Sequence, residues 1–279
     1  MSSLPLRIET TGRKRALKGR SVADKRGPKP ERADKLPQAA CGQAGKLGHM
    51  IVRERPDSFL LFGQHEHAGM AGELARRWGR GPEPFGSTVY AVANHDLAWR
   101  EPDREVLWNE EKDRPYSFMA YPLRLKLPAQ KGGIDQVESH DPYAGCLCSM
   151  HYARFLLDAV RREEVEFRDG ELGRQRRLQE GMSEEERENL ERNFQFLRVC
   201  DGISLFLCLN EPGGGDNPPP YPGGFAFDGT RFGLAWENDR TLSLDPNPFP
   251  EAFGVEIPYR IVGKDRRLLG SDILELRIT

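Results

Sequence analysis

Apolar residues recur along this chain at two spacings, and the change from one to the other marks out its elements. From Met50 to Phe62 apolar and polar positions alternate well enough for two short strands about a Pro56-Asp57 turn. A helix is predicted from about Gln64 to Trp78, because His67, Ala71, Leu74 and Trp78 are spaced by four, three and four and so share one stripe. Gly79 and Gly81 end it. Ser87 is the predicted N-cap of a second helix running through Ala91, Val92 and His95 to Trp99. Residues 100–139 read as irregular, with Pro102, Pro115, Pro122 and Pro128 as breakers.

Asp141 before Pro142 is an N-cap and first-turn pair, predicting an apolar helix to about Val160. A charged, exposed segment follows. Ser183-Glu184-Glu185-Glu186 then carries the capping-box pattern of a long helix reaching about Leu209. The stretch from Gly213 to Gly224, with Pro218, Pro219, Pro220 and Pro222, reads as a linker or ordered loop. Beyond it Thr241–Leu244, Val255–Val262 and Ile273–Ile278 read as short strands, and no internal repeat is visible.

Charge divides the chain differently. Its 41 Lys and Arg against 43 Asp and Glu give a net −2, yet residues 1–49 carry +8 and the remainder −10. Those first residues have almost no periodic apolar content, so disorder is expected there. They read as a basic arm for nucleic acid, a dispensable tail, or residues added by a start codon upstream of Met50. The acidic body argues against nucleic acid as the partner of the folded part. Five cysteines, an odd number set mostly in apolar helical patterns, suit reduced core residues and predict a cytoplasmic setting. No apolar run approaches the roughly 18 residues of a membrane span.

Chemistry enters where polar residues occupy core positions. His67 lies on the apolar stripe of the first helix, and Val89, Val92, His95, Asp96 and Trp99 lie near one face of the second. On the long helix Leu190, Phe194, Leu197, Asp201 and Cys208 form a stripe with one carboxylate in it. Burying an unpaired carboxylate costs several kcal/mol, so a partner is required. Two imidazoles and a second carboxylate on facing stripes make a nitrogen and oxygen ligand set for a divalent ion. Arg154 or Arg198 would instead satisfy Asp201 as an ordinary ion pair. Cys146, Cys148 and His151 are a poor zinc set, because the two cysteines diverge by about 200° on a helix. Gly213-Gly214-Gly215 lacks the Lys and helix start of a phosphate loop.

A His on one helix, a His-Asp pair 28 residues later and a distant Asp on a final long helix resemble the HD superfamily of metal-dependent phosphohydrolases. The phrases Ala91-Val92-Ala93-Asn94-His95-Asp96 and Cys200-Asp201-Gly202-Ile203-Ser204-Leu205 carry that resemblance. Gln64-His65-Glu66-His67-Ala68, His95-Asp96-Leu97-Ala98-Trp99, Asp141-Pro142-Tyr143 and Ser149-Met150-His151-Tyr152 are similar to an uncharacterised bacterial family, domain of unknown function 3891. The resemblance implies a mainly α fold, an HD-like helical bundle with a short N-terminal β element and a β-rich C-terminal extension. The domains expected are a tail over 1–49, a helical metal-binding domain over 50–212, and a linker with a β-rich extension over 213–279 packing on the same domain. The implied metal ligands are His67, His95, Asp96 and Asp201. His151 is the best candidate for a second metal and His140 a weaker one.

Function follows as expectation. The lead reading is divalent-metal hydrolysis of a phosphate ester, a nucleotide among the candidates, with Mn, Mg, Zn or Fe as the ion. Asp96 would ligate the metal and position water, and Arg100 would hold phosphate, with Arg104, Arg124 or Lys126 as substitutes. His65 or Glu66 would assist the leaving group. Leu97, Ala98 and Trp99 stand where many HD hydrolases carry a Lys, which puts phosphate binding in question. The alternatives are a non-haem di-iron oxygenase on the same ligands and a non-catalytic ligand-binding module. A small phosphorylated substrate is the partner expected, no membrane is, and a homodimer is left open.

Overall fold

The computed structural model describes residues 48–118, 120–214 and 223–279, with side chains from Met50 onward. Residues 1–47 of the expected disordered tail and most of the Gly213–Gly224 loop lie outside them, while the tail's last two residues, Gly48 and His49, begin a strand. The chain opens with β1 (Gly48–Glu54) and β2 (Ser58–Phe62), a hairpin about the predicted turn. Next come α1 (Gln64–Arg77) and α2 (Phe85–Asn94), then the 3-10 turns Leu97–Trp99 and Pro102–Arg104. β3 (Trp108–Asn109) and β4 (Arg114–Ser117) precede α3 (Leu123–His140) and α4 (Pro142–Ala153). α5 (Arg162–Glu180) and α6 (Glu184–Leu209) complete the helices. The chain ends with β5 (Phe225–Phe227), β6 (Thr230–Trp236), β7 (Thr241–Asp245), β8 (Phe253–Gly263) and β9 (Leu268–Ile278).

The described strands form one nine-stranded mixed sheet, ordered β3-β4-β1-β2-β8-β9-β7-β6-β5. This overturns the expected mainly α, HD-like bundle with β elements appended at its ends. β2 pairs along its length with β8, Ser58 opposite Gly263 and Phe62 opposite Tyr259, about 200 residues away in sequence. Alternation marks a strand but says nothing about so distant a partner. The irregular stretch over 100–139 is also corrected. It contains β3, β4 and α3, whose buried Leu127, Gln130, Ile134 and Val137 keep helical spacing. Pro122 only caps α3, and Pro128 sits inside its first two turns on the exposed side. The charged segment before α6 is α5, joined to α3 by ion pairs from Arg174 to Asp135 and Glu138.

Two predicted caps are present. The Asp141 carboxylate accepts from the Ala144 N–H at the start of α4, and Ser183 with Glu186 closes the capping box of α6. Nearly every residue of α4 is buried, as expected of a helix enclosed on all sides; α2, α3, α5 and α6 pack around it. α1 and α6 lie against the sheet. Where α1 ends, Trp78 meets Phe196, Phe227, Phe232 and Phe249 edge-on at ring distances of 5.3 to 6.0 Å. Glycines let the site-bearing segments approach closely. A Cβ at Gly72 would stand 2.6 Å from that of Ala93, and one at Gly133 would stand 2.5 Å from the Ala98 Cα.

Sheet and helices are also tied by buried polar bonds. Arg53 of β1 donates to the carbonyls of Leu207 and Cys208, at 2.8 and 3.1 Å, satisfying the open last turn of α6. At the other end of the layer, Asp103 accepts from the Gln64 N–H at 2.6 Å and so caps α1, while Arg260 of β8 donates to the Asp103 carbonyl at 2.5 Å. Burial pushes the Asp103 carboxyl up to about 8, with Glu66 adding to the rise and the Gln64 N–H opposing it.

Arg53→Met keeps the apolar stem but strands two buried carbonyls, so urea unfolding should show a loss of about 3 kcal/mol; an unchanged midpoint would exclude this role. Asp103 makes a second expectation about pH. Its proton is held more tightly folded than unfolded, so stability is full below the ordinary value of 3.8 and falls as pH rises toward about 8. Asp103→Asn should flatten that decline in denaturation curves taken across the interval, and parallel curves for the two proteins would refute it.

Candidate metal centre

His67, His95, Asp96, His151 and Asp201 meet in one buried volume between α1, α2, α4 and α6. Their exposures are 0, 1, 7, 3 and 3 %. His67 comes from the first turn of α1 and Asp201 from the inner face of α6. Adjacent residues on a helix diverge by about 100°, so His95 and Asp96 reach one point only because α2 ends there. His95 is its C-cap, and Asp96 turns out of the helix at φ −112° and ψ 24°.

Hydrogen bonds fix which atom of each side chain faces inward. Ser204 Oγ donates its single proton to the His67 carbonyl at 2.6 Å, so toward His67 Nδ1, 2.8 Å away, it can only accept. His67 therefore carries its proton on Nδ1 and points the Nε2 lone pair inward. The Val92 carbonyl accepts from His95 Nδ1 at 2.7 Å, which leaves Nε2 of His95 facing the same way. Tyr152 Oη donates to Asp96 Oδ1 at 2.9 Å, and Arg154 donates to Asp201 Oδ2 at 3.2 Å. The remaining atoms are Asp96 Oδ2 and Asp201 Oδ1.

These inward atoms face one another closely. His67 Nε2 stands 3.3 Å from Asp96 Oδ2 and 3.8 Å from Asp201 Oδ1. His95 Nε2 stands 3.8 Å from Asp96 Oδ2 and 3.4 Å from Asp201 Oδ1. Ligands ~2.1 Å from one ion lie roughly 3.0 to 3.4 Å apart at octahedral or tetrahedral angles, so small inward shifts suffice. Among the described residues, two triads bring ligand atoms within 4.8 Å of one another: His67, His95 and Asp96, and His95, His151 and Asp201. The donor set fits a divalent ion.

The electrostatics describe a volume short of positive charge. Two carboxylates are buried with one guanidinium. Burial alone would raise both carboxyls, yet His95 and the other imidazoles overcome it at Asp96, and His95, His151 and Arg154 hold Asp201 far below the usual range. Burial would lower His95, but Asp96 and Asp201 outweigh it and raise its affinity for a proton. A proton on His95 Nε2 would be one answer. Charge-assisted hydrogen bonds draw in to ~2.7–2.9 Å, however, and the 3.4 Å to Asp201 lies well outside that. His151 is held well below its ordinary value by burial and by Arg154.

Of the other side chains named from sequence, Arg100 is exposed and outside the ring; burial lowers His65, and the Arg100 charge adds to that shift. Arg104 pairs with Glu101 in solvent, and Arg124 is exposed. His140 packs on Tyr90 at 4.5 Å at the exposed end of α3 and joins neither triad. Lys126 is half-buried; burial lowers its affinity for a proton while Glu164 and Asp96 oppose the shift, which brings its charge near the ring. Arg154, foreseen as an ordinary partner of Asp201, has that role alongside the imidazoles. The orienting groups Tyr152 and Ser204 were not foreseen. Their signal was sequence adjacency, one residue after His151 and three after Asp201. Gln64 was missed too; it is buried one turn before His67, with neither amide atom hydrogen-bonded among the described residues.

No helix of the described chain is long and apolar enough to cross a membrane. No curated protein and no solved structure matches the chain. A family model described as protein of unknown function (DUF3891) matches residues 50–264, a span that includes every residue of the two triads. The chain therefore belongs to the DUF3891 family.

Proposed function

We propose that this protein is a divalent-metal-dependent hydrolase of phosphate esters. The observation that carries the proposal is the meeting of four inward acceptor atoms, on His67, His95, Asp96 and Asp201, whose outer partners already occupy the rest of each side chain. Acceptors crowded in a buried volume repel unless a cation stands among them. The order His67, His95-Asp96, Asp201 is that of HD phosphohydrolase ligands, which supports phosphoryl chemistry; the resemblance concerns the site alone.

A bound divalent ion would supply acidity to water and polarise a phosphoryl oxygen. The chain's own groups do the rest. Ser204 and the Val92 carbonyl set the imidazole tautomers, and Tyr152 holds Asp96 so that one oxygen remains inward. Asp96 is the most exposed of the ring. Lys126, whose charge is felt at Asp96, and the exposed Arg100 offer positive charge to an approaching anion. His65, half-buried beside Arg100, can carry a proton to a leaving oxygen. The di-iron oxygenase alternative needs a second ion at His151 and Asp201, where the Arg154 guanidinium already meets Asp201.

Wild-type protein dialysed against Mn, Zn or Fe should retain metal, and Asp201→Ala and His67→Ala should lose it. At a free ion concentration near 100 times Kd, metal should raise the wild-type unfolding free energy by about 2.7 kcal/mol and leave the variants unmoved. Retention of metal equally in all three would remove the ligand assignment. In a panel of phosphomonoesters, phosphodiesters and nucleotides, Asp96→Asn should reduce phosphate release by at least ~10²-fold. Metal that binds as expected with no ester turned over would leave a binding module.

A further inference from the structure

The ring has a second face. His95, His151 and Asp201 bring ligand atoms within 4.8 Å of one another, and His151 Nδ1 lies 4.0 Å from Asp201 Oδ2 with no hydrogen bond of its own. By donor type His151 Nδ1 and Asp201 Oδ2 begin a second cation site beside the first, since the single lone pair on His95 Nε2 serves one ion only. A bridging carboxylate of this kind would give one oxygen to each ion, and Asp201 Oδ1 already faces His95 and His67.

The oxygen left for a second ion is the one that Arg154 holds. Its guanidinium lies 3.2 Å from Asp201 Oδ2. It is fixed there by more than that contact, lying 4.4 Å over the Phe155 ring and 6.0 Å from that of Phe194, with only 11 % of the side chain exposed. An arginine cannot shed its proton in a protein, so this charge is permanent and repels any divalent ion brought to the same oxygen.

We infer that the centre holds a single ion and that Arg154 stands in the place of a second. The inference rests on the metal-dependent reading above and gives that site its stoichiometry. It also assigns Arg154 a part in binding. The planar guanidinium donates in a fork suited to phosphate as well as to carboxylate oxygens. Where a two-ion hydrolase sets metal against the reacting phosphoryl group, this protein sets a fixed organic cation. The substrate group it suits is a phosphate with unesterified oxygens directed toward α4.

Metal content after saturation with Mn(II) and removal of the excess decides the matter, with thermal melts to show that each protein is folded. Wild type should carry one ion per chain, Arg154→Met two, and Arg154→Lys, which restores the charge, one. A single ion in both wild type and Arg154→Met would overturn the role of Arg154. Should Arg154→Met not fold, electron paramagnetic resonance of the wild type substitutes: the hyperfine pattern of an isolated Mn(II) supports the inference, and an exchange-coupled pair overturns it. Two ions in wild type would overturn it while sparing the metal reading, whereas no ion in wild type would remove both.

Discussion

Four inward atoms, two imidazole nitrogens and two carboxylate oxygens, face one another inside this protein. The surrounding structure holds them in that costly arrangement. Each outer atom is engaged, by Ser204, Val92, Tyr152 or Arg154. None of the four side chains can turn away without breaking a buried hydrogen bond, which leaves a donor or acceptor stranded at ~1–3 kcal/mol each. The same lock that crowds the acceptors also presents them ready for an ion, so little reorganisation is needed on binding.

The fold supplies that lock through helices anchored on a sheet. No strand contributes a ligand. Yet the sheet fixes α6 through Arg53 and the C-terminal carbonyls, and it fixes the entry of α1 through Arg260, Asp103 and the Gln64 N–H. α4 carries His151 and Tyr152, and its burial on all sides leaves those two side chains no other place to go. The break in α2 at Asp96 then lets two consecutive residues serve one centre.

Sequence made the candidate site more legible than the fold. His67, Asp201 and the His-Asp pair are polar residues at apolar positions of well-formed helical stripes, and a stripe reveals which way a residue faces. The caps at Asp141 and Ser183 were legible for the same local reason. The sheet was not. β2 and β8 each alternate plainly, but their pairing is a tertiary fact with no local signature. α3 was hidden because prolines at 122 and 128 suggest breakage, although one only precedes the helix and the other lies in its early turns. α5 was hidden because its face is satisfied by ion pairs rather than by apolar burial. The orienting roles of Tyr152 and Ser204 depend on distances across helices, which no one-dimensional pattern encodes.

The register between β2 and β8 has a consequence for the order in which the molecule is built. Synthesis proceeds from the N-terminus, and every residue of the two triads has emerged once Asp201 has left the ribosome. The strand that completes the central sheet follows only with Phe253–Gly263. Pairings of such long range form slowly, because loop closure comes before any compensating contact. A nascent chain thus holds its polar cluster on helices that β8 and Arg260 do not yet brace, and an ion present during that interval has a reason to bind before the sheet is complete.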